Sequence, residues 1–338
     1  MRVVVTGGLG FIGAHTCVEL ARASGRLLIV DNLVNAKASV LPRIRELAPG
    51  AEIEFVRADI RDPAALDRIF SAGDIEAVVH FAGLKSVGES AAIPLAYYDN
   101  NVGGTVTLLL AMARHGIDHL VFSSSATVYG EPERLPLIEG HRLQATNPYG
   151  RTKLMIEQII ADHAAARASF RHATLRYFNP IGAHASGRIG EDPRGVPNNL
   201  FPYLTQVAVG RLPRLRIFGG DYATVDGTGV RDYIHVVDLA LGHLAALKYL
   251  REKYCSITVN LGTGRGYSVL EVVKAFETAT GRKVPYEIAP RRPGDSASSY
   301  ADTSFAASEF GWKAKFGIED MCHDAWRWQS ENPSGYTD

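Results

Sequence analysis

Tyr149 and Lys153 stand four residues apart in the run Asn147-Pro148-Tyr149-Gly150-Arg151-Thr152-Lys153. Asparagine is a good N-cap and proline a good first helical residue, so the spacing predicts both side chains on one face of a helix. A phenol ionises near pH 10, and a base working at neutral pH needs a pKa about three units lower. An ammonium one turn away can supply about one to three of those units. Taken alone, such a pair is far more often an ordinary contact on a solvated helix. It gains meaning from what precedes it in the chain.

Val3-Val4-Val5-Thr6-Gly7-Gly8-Leu9-Gly10-Phe11-Ile12-Gly13 reads as a strand, a glycine turn and a helix start. In this GxxGxxG spacing Gly7 permits the tight turn, Gly10 lets the backbone approach a pyrophosphate, and Gly13 lets helix and strand pack closely. The helix N-terminus offers unpaired N–H groups to the phosphates. Asp31 ends the next strand, where a carboxylate can accept both ribose hydroxyls of NAD and repel the 2′-phosphate of NADP. A third element, Ser123-Ser124-Ser125-Ala126-Thr127-Val128-Tyr129-Gly130, falls at a strand end, where ligands sit in open parallel sheets. A hydroxyl there can bond the substrate oxygen that Tyr149 deprotonates, although a polar loop capped by serines has the same composition.

These groups need a framework of alternating elements. Apolar runs at 3–5, 27–30, 54–56, 77–81, 119–123 and 173–176 predict strands, and three- and four-residue apolar spacing predicts helices at 12–23, 63–70, 102–115 and 149–166. Such alternation implies βαβ units and a doubly wound parallel sheet, an α/β fold. After Phe178 the chain turns rich in Gly, Pro, Asn and Asp, with one clear helix near 200–209. Strands at 233–237 and 257–261 then read as a return to the sheet, followed by helices at 271–280 and 318–329. The expected division is 1–178 plus 233–262 for the nucleotide, and 179–232 plus 263–338 for a smaller, mixed α/β unit.

The 338 residues carry 36 basic and 36 acidic side chains, a net charge of zero. That balance disfavours a nucleic-acid partner, which calls for a basic excess. No apolar window is long enough for a membrane span. Cys17, Cys255 and Cys322 form neither a disulfide framework nor a CxxC site. The opening apolar run is too short for a secretory signal, which makes the cytoplasm the expected location.

Together the glycine turn, Asp31, the serine motif and YxxxK resemble the extended short-chain dehydrogenase/reductase family. Further runs resemble its UDP-glucose 4-epimerase branch: His80-Phe81-Ala82-Gly83-Leu84-Lys85, Tyr97-Tyr98-Asp99-Asn100-Asn101, Arg176-Tyr177-Phe178-Asn179-Pro180, Pro197-Asn198-Asn199-Leu200 and Gly227-Thr228-Gly229-Val230-Arg231-Asp232-Tyr233-Ile234-His235. With the Trp326-Arg327-Trp328-Gln329 segment they span the chain. The resemblance implies a Rossmann-type domain with a UDP-sugar-binding domain. It implies an isomerase that interconverts UDP-galactose and UDP-glucose through a 4-keto sugar and transient NADH, with NAD tightly bound and regenerated each turnover.

The resemblance places the base on Tyr149, with Lys153 and Ser125 beside it. It puts cofactor contacts on Gly7, Gly10, Phe11, Ile12, Gly13, Asp31, Asn32, Asn35, Asp59, Ile60, Phe81, Ala82, Gly83, Lys85, Asn100, Tyr149, Lys153 and Phe178. Because the sugar must turn over inside the site, binding energy has to come from the unreacting UDP. A diphosphate favours guanidinium groups, and the resemblance puts Arg231 and Arg292 in that role. Asn179, Asn199, Leu200, Arg216, Ile217, Phe218 and Asp295 complete the nucleotide pocket, with Lys85, Ser125 and Tyr149 at the sugar.

In Gly294-Asp295-Ser296-Ala297-Ser298-Ser299-Tyr300, Ser299 takes the pocket-wall position that a bulky tyrosine fills in epimerases confined to glucose and galactose. A small wall implies turnover of UDP-GlcNAc and UDP-GalNAc as well; a one-residue shift would instead let Tyr300 close it. The resemblance also implies a homodimer through a four-helix interface. The helices at 102–112 and 153–160 supply Leu108, Leu109, Met112, Leu154, Ile156, Ile159 and Ile160, more apolar surface than one sheet face needs.

The rival readings lack their chemistry. A 4,6-dehydratase of the same family places Asp-Glu directly after the serine, where this chain has Ala126 and Thr127. A non-catalytic NAD-sensing module loses the tyrosine or the lysine, and both are present. A metal hydrolase would have only His115-x-x-x-His119 as ligand spacing, and Gly116 breaks that helix. No metal is expected.

Overall fold

A computed structural model describes residues 2–71, 73–292 and 294–337. Met1 and Asp338, the outer bounds of the expected units, lie outside the described residues. The strands are β1 (Arg2–Thr6), β2 (Arg26–Asp31), β3 (Glu52–Arg57), β4 (Ile75–His80), β5 (His119–Ser125), β6 (Arg171–Tyr177), β7 (Asn179–Ile181), β8 (Leu215–Phe218), β9 (Val230–His235), β10 (Ile257–Leu261), β11 (Gly266–Ser268), β12 (Tyr286–Ala289) and β13 (Ser298–Ser299). The helices are α1 (Phe11–Ser24), α2 (Val40–Leu47), α3 (Pro63–Phe70), α4 (Val87–Ala92), α5 (Pro94–Tyr97), α6 (Gly104–Arg114), α7 (Pro148–Ala166), α8 (Leu200–Ala208), α9 (Val236–Lys253), α10 (Val269–Thr280), α11 (Ser304–Phe310) and α12 (Ile318–Glu331).

Seven parallel strands form the large sheet in the order β10-β6-β5-β4-β1-β2-β3. Central strands such as β1 are buried on both sides because helices cover both faces, whereas the edge strand β3 carries Glu52, Glu54 and Arg57 and is largely exposed. Val3 and Val5 of β1 pack with Ala14, Cys17, Leu239 and Leu250 of α1 and α9. Val4, pointing the other way, packs with Leu66, Leu108, Met112, Ile156 and Ile160 of α3, α6 and α7. The doubly wound arrangement is as expected. The strand order reverses between β1 and β4, which is where such sheets bind ligands beyond their strand ends.

The remaining strands form a four-stranded sheet of β7, β9, β11 and β13 and the pair β8–β12. Helices α8, α10 and α12 cover them around Leu204, Ile217, Tyr233, Val272, Phe276 and Met321.

Two expectations are corrected here. The strand expected at 233–237 is β9, and it pairs with β7, β11 and β13 instead of returning to the large sheet. The return is made by β10 against β6, after the eighteen-residue helix α9. No glycine or proline separates β9 from α9, and the cap is an unusual one: His235 accepts from the Val237 N–H at 3.0 Å. Second, Leu108, Leu109, Met112, Ile156 and Ile160 are buried against the sheet of their own chain, so they offer no surface to a partner. Leu154 and Ile159 are half-buried. The apolar side chains on the outside are Val106, Leu110 and Met155, joined by Ile93 and Leu95 of the adjoining segment.

Among the described residues, no helix is long and apolar enough to cross a membrane. Nor does any cluster of His, Cys, Asp or Glu have the form of a metal site. His115 is paired with Asp67 at 3.1 Å.

Candidate active site

The glycine turn sits at the switch point. Gly7 has φ +69°, and a Cβ there would lie 2.6 Å from the Ala82 nitrogen, so the loops after β1 and β4 touch backbone to backbone. At Gly13 a Cβ would come within 2.3 Å of the Gly7 carbonyl, which is the close helix–strand packing expected of it. Gly10 is the N-cap of α1, with no side-chain cap and no acidic residue in the first turn. A Cβ at Gly10 would meet only the Gly7 carbonyl, at 3.3 Å. An open approach to the positive end of a helix fits a pyrophosphate.

Asp31 ends β2 and is buried. Its two oxygens accept from the N–H groups of Leu9, at 3.1 Å, and Leu33, at 2.9 Å. Burial raises its pKa and these two bonds oppose the rise. The carboxylate therefore braces the glycine turn and retains lone pairs for ribose hydroxyls. Next to it, Asn32 donates to Asp59 at 3.0 Å. Arg61 holds the Asp59 carboxyl well below the usual range. Ile60 is buried, Phe11 and Ile12 are half-buried, and Asn35 is exposed.

The loop after β4 holds Phe81, Ala82 and Gly83 in half-buried positions, with Phe81 4.8 Å from the His243 ring. A residue given no role from the sequence fixes this loop. Buried Asn101 accepts from Leu84 N–H at 2.8 Å and from Asn100 at 2.9 Å, and donates to the Leu84 carbonyl and to Thr152 of α7. Phe178 is buried with Val128, Tyr129, Leu137 and Ala301.

Helix α7 starts as its sequence requires: Asn147 accepts from the Gly150 N–H at 2.9 Å, and Pro148 is the first helical residue. Tyr149 and Lys153 then share a face. The Lys153 ammonium is buried, donates to the Ser123 carbonyl at 2.6 Å, and lies 5.9 Å from the centre of the Tyr149 ring and 4.9 Å from that of Phe122. Burial lowers Lys153 to about 8, opposed by Glu157. Burial pushes Tyr149 up to about 12, and the Ser125 hydroxyl beside it pulls the other way. Ser125, at the end of β5, also accepts from the Thr127 hydroxyl at 2.9 Å. The expected triad is thus assembled. The lowering of Tyr149 that the spacing suggested does not arise from Lys153 in the protein alone.

In the smaller unit, β8 alternates. Ile217 is buried in the second core, so its side chain cannot take the nucleotide contact expected of it, while Arg216 and Phe218 point the opposite way. The Arg292 guanidinium lies 3.8 Å over the Phe218 ring and that of Arg216 lies 5.4 Å from it. Arg231 faces Asp295 at 3.8 Å. Ser299 is the register partner of Arg231 in a parallel pair, which puts the two on one sheet face. Tyr300 is held elsewhere: its carbonyl accepts from Leu137 N–H at 2.9 Å, and its ring lies over Gly266. Asn179 opens β7 and is exposed, and Leu200 is half-buried at the start of α8.

Glu191, another residue without a role at the sequence level, joins the two halves. It accepts from Lys85 at 2.9 Å and from Asn199 at 3.2 Å, and its side chain is only 10% exposed. It sits on the irregular stretch before α8, where no periodicity could mark it.

A glycine cradle at the switch point, an acid closing β2 and a Ser–Tyr–Lys group at the end of β5 define a dinucleotide-dependent protein acting on a hydroxyl or carbonyl carbon. The chain belongs to the NAD dependent epimerase/dehydratase family, whose model matches residues 3–262. It is 57% identical to a UDP-glucose 4-epimerase of Bacillus subtilis (strain 168), over 99% of each chain. It is 56% identical to one of Dictyostelium discoideum, over 100% of this chain and 98% of the relative. Among solved structures, the UDP-glucose 4-epimerase of Bifidobacterium longum in complex with NAD+ and UDP superposes with a TM-score of 0.96 at 50% identity, covering 99% of this chain and all of that one. The enzyme of Stenotrophomonas maltophila, with NAD and formylated UDP-arabinopyranose, gives 0.96 at 54%, covering 98% and 99%.

Proposed function

We propose that the chain is an isomerase that interconverts UDP-galactose and UDP-glucose by inverting C4 of the hexose, with NAD as its cofactor. The observation that carries this reading is the Ser125–Tyr149–Lys153 group on two adjoining elements, at the same end of the parallel sheet as the Gly10 cradle. When bound, NAD supplies reversible hydride exchange with the sugar C4. Gly10, Phe11 and Ile12 would receive its pyrophosphate, on the turn that Gly7 and Gly13 make possible, and Asp31 would hold a ribose. Tyr149 takes the proton from the sugar O4 as C4 becomes a ketone and returns it when C4 is reduced on the other face. Ser125 bonds that oxygen, and Lys153 supplies positive charge beneath the phenolate.

Arg231 and Arg292 hold the diphosphate while the sugar turns between its two faces. Few contacts to the hexose are needed, since the nucleotide keeps it in place. Phe218 then takes a nucleobase in exchange for the guanidinium that covers it. The serine motif continues with Ala126 and Thr127, neither able to assist elimination of water, so a dehydratase is not favoured. Ser299 on the Arg231 face leaves room for a 2-acetamido group, and we extend the substrate range to UDP-GlcNAc and UDP-GalNAc.

We retain the homodimer through α6 and α7, now carried by Val106, Leu110 and Met155, with Leu95 beside them. An exposed free thiol at Cys255 fits a reducing compartment such as the cytoplasm. Absorbance tests the reading against a non-catalytic NAD-binding module. Adding a UDP-hexose to the holoenzyme produces the band of reduced nicotinamide; a silent spectrum with no turnover contradicts it.

A further inference from the structure

Three consecutive residues at the end of β5 are each engaged by one of three residues spaced four apart on α7. Ser125 lies against the Tyr149 phenol, the Ser123 carbonyl accepts from Lys153, and the Ser124 hydroxyl donates to Glu157. Residues at i, i+4 and i+8 form one stripe on a helix, so strand and helix are matched residue for residue. Glu157 is also gripped from β6. Arg176 donates to its two oxygens through Nε at 3.1 and 3.2 Å and through Nη2 at 2.7 Å. The other arm of Arg176 donates to the Tyr129 hydroxyl and the Glu139 carbonyl, both at 3.0 Å. Both side chains of the pair are under a tenth exposed.

Stability alone gives little reason for such a pair, because apolar residues of similar volume usually hold a core as well as a buried ion pair does. What the pair adds is direction: a carboxylate held between Ser124 of β5 and Arg176 of β6 admits one rotation and one height of α7 along β5. We propose that Glu157, fixed by Arg176, is a positioning residue for the reaction proposed above, setting the Tyr149 hydroxyl against Ser125 and the Lys153 ammonium against the Ser123 carbonyl through its bond to Ser124. Displacement by about 1 Å at a reacting centre can lower a rate about a hundredfold. UDP and NAD are held by other residues, so the effect falls on kcat.

The test is a double-mutant cycle of Ser124→Ala and Glu157→Asp, the second keeping the charge but withdrawing the carboxylate by one methylene. Turnover of UDP-galactose, retained NAD and thermal melting are measured for each. Each single variant is expected to lose about tenfold or more in kcat with KM within about twofold and NAD retained. The double variant is expected to lose little more than the worse single one, because both act through the same bond. Kcat within twofold of wild type in folded Ser124→Ala overturns the proposal, and so do losses that multiply. If Glu157→Asp fails to fold, Ser124→Ala decides alone. Wild-type turnover measured in parallel separates the two readings. Its absence overturns the proposed function; its presence with unchanged variants overturns the positioning role.

Discussion

The Lys153 ammonium donates to the Ser123 carbonyl at 2.6 Å while standing 5.9 Å from the centre of the Tyr149 ring. Its nearest partner is the strand, not the phenol. With Tyr149 pushed up to about 12, the phenol is fully protonated at neutral pH in the protein alone. For Tyr149 to act as the proposed base, the positive nicotinamide of bound NAD has to add to the charge of the lysine. Tyr149→Phe removes the proton acceptor and leaves the residues proposed to hold UDP untouched. Its kcat should fall by about a hundredfold to ten-thousandfold, with UDP affinity by calorimetry within about twofold. Activity within tenfold of wild type would show that another group is the base.

Ser299 pairs in register with Arg231, and Tyr300 is occupied with Leu137 and Gly266. A phenol at position 299 would fill the space an acetamido group must sweep through. Overpacking a tight site costs about 1–3 kcal/mol, or about ten- to hundredfold in selectivity. Ser299→Tyr should lose UDP-GlcNAc turnover by that factor and keep UDP-galactose turnover. Wild-type enzyme that converts UDP-galactose but not UDP-GalNAc would contradict the assignment.

Burial holds His15 and His80 at about 3 and His172 and His243 at about 4, against an ordinary value of 6.5. These rings stay neutral in the folded chain while the unfolded chain takes up protons below pH 6.5. More protons bound in the unfolded state means stability rises with pH, so acidification destabilises the fold. Each histidine contributes up to about 1.4 kcal/mol per pH unit. Asp31, Asp232 and Asp238, raised by burial, take up protons in the folded state and work the other way at lower pH. Urea melts should therefore show the steepest loss between pH 6.5 and about 5. A flat profile over that range would refute the neutral assignment.

Leu110 is 56% exposed on α6 and Met155 is 42% exposed on α7. Charge at both positions is compatible with the monomer and not with a helix-on-helix interface. Light scattering should give a dimer for wild type and a monomer for the Leu110→Glu, Met155→Glu double variant. A wild-type monomer at micromolar concentration would end the proposal.

Regular periodicity made the first half of the chain legible. The strands and major helices through β6 fall where their apolar spacing puts them, and so do Gly7, Asp31, Ser125, Tyr149 and Lys153. Where reading failed, a local signal was missing. Helix α9 follows β9 with no breaker and is capped by His235, so its first residues look like more strand. Leu108 and Ile160 carry the same apolar mark whether they face their own sheet or a partner, and only the fold distinguishes the two. Asn101, Glu157 and Glu191 act through partners distant in sequence, and polar residues of that kind carry no period to read.

The most direct measurement of the central claim is to incubate the purified chain with UDP-galactose, with no NAD added, and identify the product. The account predicts UDP-glucose approaching equilibrium with no net change in nicotinamide redox state, because whatever C4 gives up is returned to it. UDP-galactose recovered unchanged, from protein shown to carry NAD, would contradict it; so would a product that has lost water.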